Sequence, residues 1–216
     1  MKKIILIGAT GFVGSALLKE ALDRGHEITA ILRHPSKLSL SHPQLTVVEG
    51  DVADSDFLAS RMKGADAVVS AFNPGWSNPT IYQETLDGYA SILRATRWAK
   101  VPRLLVVGGA GSLYASPGKR VMDEEGVPPK LLPGIKSLAK VYTDYLVPEK
   151  NIDWIFLSPP ATLQPGPRTG IFRIGKDDLL VGKDGESTIS VEDYAVAMID
   201  ELEQEKHHRE RFTVGY

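Results

Sequence analysis

An apolar run from Ile4 to Ile7 ends in three glycines spaced three residues apart, Gly8, Gly11 and Gly14. That spacing constrains the fold more than any other stretch of the chain. A strand must end at Gly8, and a helix, read over residues 11–24, must start near enough to aim its first N–H groups at an anion. Gly8 takes the tight turn, Gly11 lets the backbone approach phosphate, and Gly14 allows the helix to pack closely on the strand. Thr10, Phe12 and Val13 stand where backbone amides reach a pyrophosphate. A plain strand-to-helix turn is the bland alternative. The position after an apolar strand, inside a βαβ unit, favours a dinucleotide site.

The first half of the chain alternates apolar runs with amphipathic stretches. Strands are expected at residues 3–7, 28–32, 45–49, 67–71 and 104–107, with helices at 11–24, 55–62 and 81–100. Asp54 precedes the second helix as its N-cap, and Gly25 follows the first at its C-terminus. The expected fold is α/β: a Rossmann, doubly wound parallel sheet with helices on both faces. The second half is less regular. Gly and Pro crowd residues 108–134, and Val127-Pro128-Pro129 interrupts any helix there. A helix is expected at 135–147, strands at 154–157, 179–181, 187–190 and 211–214, and a helix at 191–203. The 216 residues suit a single domain, with a cofactor core over about 1–150 and a smaller substrate-side region over about 151–216.

Charge and composition exclude several functions. Formal net charge is -2, with no basic excess to favour nucleic acid or an anionic membrane. The chain has no cysteine, which removes disulfides, thiolate metal ligands and a cysteine nucleophile together. The five histidines show no metal-ligand spacing, so no metal is expected. The opening apolar run is too short to span a membrane and lacks the long apolar segment of a signal peptide. A cytoplasmic location is expected.

The Gly8-Ala-Thr-Gly-Phe-Val-Gly14 opening and the segment Ile189-Ser-Val-Glu-Asp-Tyr-Ala195 together resemble the atypical short-chain dehydrogenase/reductase superfamily. Within it the chain looks like the NAD(P)H-binding branch of NmrA-like, flavin reductase-like and biliverdin reductase B-like proteins. Many members of that branch carry an epimerase/dehydratase label. The resemblance implies that Asp51 and Val52 lie beside the adenine and that Ala71 and Phe72 line the nicotinamide ribose. Asp51 equally suits a helix cap, and Phe72 equally suits the core.

The end of the second strand selects the cofactor, because an acidic residue there accepts from a 2′-hydroxyl and an arginine accommodates a 2′-phosphate. Here the sequence is Ala30-Ile-Leu-Arg33-His34-Pro35, with no carboxylate in reach. We read Arg33 as the partner of a 2′-phosphate, assisted by His34 or Lys37, and expect NADP(H) ahead of NAD(H).

The resemblance also implies a Tyr-x-x-x-Lys pair on one helix and a Ser or Thr after the fifth strand, the groups that move a proton in ketone reduction. Here Lys140 takes the lysine position when the helix is aligned on Asp144, and Lys136 stands where the tyrosine belongs. Tyr142 lies two residues beyond Lys140, about 200° round the helix, and cannot replace that tyrosine. Alignment on Tyr114 puts Ala110 at the hydroxyl position, with Ser112 two residues away. Lys140, for cofactor and catalysis, and Ser112 are therefore the catalytic candidates. Lys136 and Lys140 also read simply as an exposed i,i+4 pair.

Substrate contacts are expected from Trp76, Tyr114 and Arg168, on loops at the carboxyl edge of the sheet. Trp76 would stack on a planar acceptor or anchor a lid, and Arg168 would meet an anion over the cleft. The expected function is an NADPH-dependent oxidoreductase of flavin reductase type, taking a flavin or another planar small molecule. Two alternatives stand beside it: a non-catalytic NADP(H)-sensing regulator, and an NAD(P)-dependent sugar epimerase or dehydratase. The long helix at 81–100 could serve in a homodimer.

Overall fold

The computed structural model describes all 216 residues. In chain order its elements are β1 (Lys3–Ile7), α1 (Phe12–Asp23), β2 (Glu27–Leu32), β3 (Leu45–Glu49), α2 (Ser55–Met62), β4 (Ala67–Ser70), α3 (Ile81–Ala99) and β5 (Arg103–Val107). There follow β6 (Tyr114–Ser116), β7 (Lys119–Arg120), α4 (Leu132–Lys140), β8 (Asp153–Ser158), β9 (Thr162–Gln164), β10 (Arg173–Gly175), β11 (Thr188–Ser190), α5 (Val191–Gln204) and β12 (Glu210–Gly215). The main sheet runs β10-β12-β8-β5-β4-β1-β2-β3. Seven of its strands are parallel; only β10, at the edge beside β12, runs antiparallel. The chain moves outward from β1 through β2 to β3, then returns to lay β4 on the other side of β1. That reversal opens a crevice at the carboxyl ends of β1 and β4, the place where ligands bind in sheets of this kind.

Strict alternation of side chains assigns each strand residue to one of two cores. Ile4 and Leu6 of β1, Leu105 of β5 and Ile155 and Leu157 of β8 pack under α1 and α5. Ile5 and Ile7, Leu104 and Val106, Trp154 and Phe156 pack under α2 and α3. Because both faces are covered, these strands read as continuous apolar runs rather than as alternation of apolar and polar residues. No helix is long and apolar enough to cross a membrane.

The first half matches expectation almost residue for residue, and Asp54 caps α2 by accepting from the Phe57 amide at 2.9 Å. The second half differs in four places, one of them the short strand β9, which pairs with β11. The helix expected at 135–147 begins at Leu132, stays α-helical to Lys140, and continues as a wider π turn over Val141–Leu146. That turn aims Tyr142 at β8, where its ring lies 5.1 Å from Phe156 and 6.2 Å from Trp154. Residues 179–181 form no strand. Their place as an edge is taken by β10, which pairs with β12 through backbone groups that carry no sequence signature. Residues 114–120 form a short β6–β7 hairpin inside the expected loop.

The C-terminal third is tied to the sheet by buried polar groups. Asp193, fully buried on the first turn of α5, accepts from the amides of Thr169 and Gly170 at 2.7 Å each and from the Thr169 and Tyr216 hydroxyls. Burial opposes its charge, but those hydrogen bonds outweigh burial and hold the carboxyl below the usual range. Its contribution is thus complete above the unfolded value of about 3.9 and is lost as pH falls through the lower folded value. Asp193→Asn should cost about 1–3 kcal/mol at neutral pH, since an amide cannot accept all these bonds. The variant should also lose part of the acid sensitivity of the native chain, as urea unfolding at a series of pH values would show.

Candidate functional site

The glycine turn shows why its three glycines are not equivalent. Gly8 adopts φ +85, and a Cβ on it would lie 2.4 Å from the Ala71 carbonyl oxygen. A Cβ on Gly14 would lie 2.0 Å from the Gly8 carbonyl oxygen. Both contacts are backbone on backbone and cannot relax. At Gly11 the nearest atom to a Cβ is the same Gly8 oxygen at 3.4 Å, an ordinary contact, and φ is -78. Nothing within the protein requires glycine there, so the space above it is left for something outside the chain. Gly11 is also the N-cap of α1, and no side chain caps that helix. The Phe12 and Val13 amides find no acceptor in the chain. An open backbone cradle with free N–H donors at a helix N-terminus fits a pyrophosphate.

Around this cradle the parallel register gathers the exits of five strands. Arg33 follows β2, exposed and in no ion pair. Asp51 follows β3; it is exposed, and its Oδ1 accepts from the Ala53 amide at 2.9 Å, which shapes the turn. Val52 beside it is buried in the core under α2 and α3. After β4 the Ala71 amide donates to the Ile7 carbonyl at 2.9 Å, placing the Ala71 carbonyl over Gly8. The Phe72 ring turns away from the crevice to fill space above Gly88 and meets Tyr89 edge-on at 5.9 Å. Its side chain packs, partly buried, against the core under α2 and α3. Trp76, half exposed, lies against Gly134 and closes the space between the β4 exit and α4.

The fifth strand exit meets α4 through apolar atoms. Leu138 packs on Gly109 and Ile135 on Gly111, so this side of α4 meets the strand exit through Ile135 and Leu138. Lys136 and Lys140 are exposed, and Lys140 forms an i,i+4 ion pair with Asp144. Hydrogen bonding to Asp144 raises the Lys140 ammonium above its usual value. Ser112 is buried, and its hydroxyl and carbonyl both accept from Arg211 Nη1, at 2.9 and 3.0 Å. Arg211 was not foreseen from the sequence: it is the second residue of β12, is itself buried, also pairs with Asp177, and lies 4.6 Å above the Tyr142 ring. Tyr142 is pushed up by burial, with Arg211 opposing. Tyr114 is held by backbone bonds to Asp177 and Leu179, next to this cluster.

Arg168 corrects an expectation. Instead of reaching over the cleft, its guanidinium grips Glu20 of α1 through two bonds of 2.7 and 2.8 Å. Glu20 is nearly buried and is held low chiefly by Arg168, with Arg24 adding to it. Sequence spacing could not pair residues so far apart in the chain. No group of three or more His, Asp or Glu side chains is arranged to hold a metal ion.

The comparisons agree with this geometry. Over 215 residues the chain is 43% identical to YwnB of Bacillus subtilis, described as uncharacterized, covering 98% of this chain and 97% of that one. A solved structure from Bacteroides thetaiotaomicron, called a "putative epimerase", superposes with a TM-score of 0.94 at 55% identity, over 100% and 97% of the two chains. Another from Streptococcus pneumoniae, called a "putative NADH-flavin reductase", gives a TM-score of 0.86 at 31% identity, over 100% and 99%. A family model described as NAD(P)H-binding matches residues 8–205. With the glycine cradle in place at the head of that match, the chain belongs to the NAD(P)H-binding family of Rossmann-fold proteins.

Proposed function

We propose that this protein is an NADPH-dependent oxidoreductase that passes a hydride to a flavin or another planar acceptor. The observation that carries this reading is the apolar contact of α4 with the β5 exit, where Ile135 and Leu138 meet Gly111 and Gly109 and a lysine, Lys136, stands at the tyrosine position. Ser112, the one hydroxyl near the expected position, is engaged by Arg211. An acceptor that needs its proton from the protein would react poorly here. A conjugated acceptor whose reduced form takes its proton from water would not.

A nicotinamide dinucleotide supplies the hydride when bound. The chain's own groups do the rest. Backbone amides of Phe12 and Val13 orient the pyrophosphate, and Arg33 supplies positive charge for a 2′-phosphate. Trp76 and Leu138 exclude water from one side of the crevice and offer flat apolar surface. Lys140 adds positive charge near the mouth while paired with Asp144.

Four measurements test this. Loss of nicotinamide absorbance with FMN, riboflavin and quinones should reveal turnover; tight NADPH binding without turnover on any of them would favour a sensor. Arg33→Glu should weaken NADPH binding by at least tenfold and NADH binding far less. Gly11→Ala should keep the melting temperature within a few degrees while weakening nucleotide binding, whereas Gly14→Ala should lower the melting temperature itself. On the proton side, Lys140→Met and Tyr142→Phe should each cost less than about threefold in kcat, against the 10²–10⁴-fold expected for loss of a general acid.

A further inference from the structure

At the end of the strands away from the glycine cradle, part of one sheet face is left uncovered. In a parallel sheet, residues paired in register point to the same side. Lys3 and Glu27 therefore share the face of Ile5, and Thr29 of β2 stands beside Thr46 of β3. The helix that could cover this face, α2, has only eight residues and packs instead on α3 and the β1 side of the core, through Leu58, Ala59 and Met62. Thr46 stays exposed. What remains is a groove of about 410 Å³, floored by the amino-terminal parts of β1 to β3 and walled by the last turn of α2 and the turn at residues 63–65. That volume lies in the range of small-molecule sites.

Three cations line the groove, Lys3, Arg61 and Lys63, and none of them takes part in an ion pair of the chain. Glu27 is the single acid in the lining, so the groove is positive although the whole chain carries -2. The Arg61 guanidinium lies 5.2 Å above the Phe57 ring, which holds it on the wall. The Thr29 and Thr46 hydroxyls line the floor and make no hydrogen bond within the chain. Cations beside a helix C-terminus also offset its dipole, which accounts for Arg61 and Lys63 but not for Lys3 on β1.

We propose that this groove is a second ligand site, separate from the dinucleotide cradle, for a small phosphate ester. The phosphate meets Lys3, Arg61 and Lys63, whose charge-assisted bonds suit its oxygens, and the two threonine hydroxyls donate to the same group. Glu27 accepts from a hydroxyl of the ligand.

NMR titration of the whole protein with ribose 5-phosphate tests this and reports where the probe binds. The amides of Thr29, Thr46 and Gly64 should shift together and saturate. Arg61→Ala with Lys63→Ala should weaken that response at least tenfold. Lys130→Ala with Lys183→Ala, which removes the same charge from exposed positions elsewhere, should leave it within about twofold. Shifts that never saturate, shifts confined to Phe12 and Val13 in the cradle, or equal losses in the two double variants would overturn the proposal. So would a melting temperature lowered by Arg61→Ala with Lys63→Ala while ribose 5-phosphate binding stayed intact, the result expected if these cations serve the helix alone.

Discussion

Three pieces of backbone, the Gly8 turn, the first turn of α1 and the exit of β4, meet at distances that leave no room for a single Cβ. With the Gly14 Cβ position 2.0 Å from the Gly8 oxygen and the Gly8 position 2.4 Å from the Ala71 oxygen, side chains there would force apart the central strands and the helix beside them. Everything at the carboxyl edge inherits its place from that contact. β1 and β4 are neighbours at the point where the sheet reverses its winding, so the contact sets the width of the crevice. It also holds the N-terminus of α1 at the crevice floor, where uncapped amides and the helix dipole are directed outward.

Opposite this rigid floor, the walls are held by long-range polar anchors. Arg211 fastens the β5 exit to the start of β12 through Ser112 and Asp177, and its guanidinium covers Tyr142. Asp193 gathers the 169–170 backbone and Tyr216 to α5. Arg168 clamps the same loop to α1 through Glu20. Each buries a charge only because partners hydrogen-bond it, and a lone charge in the same places would be expelled. The chemical consequence is specific: polar groups that resemble catalytic ones by position are occupied in holding the structure together. Beside them, Trp76, Ile135 and Leu138 pack on Gly134, Gly111 and Gly109.

How much of this could be read in advance depends on whether the cause was local. The glycine spacing, the Asp54 cap and the paired apolar runs of the first half are local signals, and they placed β1 to β5 and α1 to α3 within a residue or two. Phe72 was legible only as a choice between core and site, and Gly88 on α3, sixteen residues away, decides for the core. Arg168 could not be placed, because Glu20 lies 148 positions away. Arg211 carried no motif at all; it matters through what the fold sets beside it.

The sequence by itself determined the class of fold and the cradle, because a turn that admits no Cβ and a helix that begins on it are consequences of neighbouring residues. Tertiary structure alone decided the rest: which face of α4 meets the β5 exit, which hydroxyl accepts from Arg211, and which carboxylate Arg168 pairs with. Those depend on distances between segments far apart in the chain, and periodicity records only what happens within a segment.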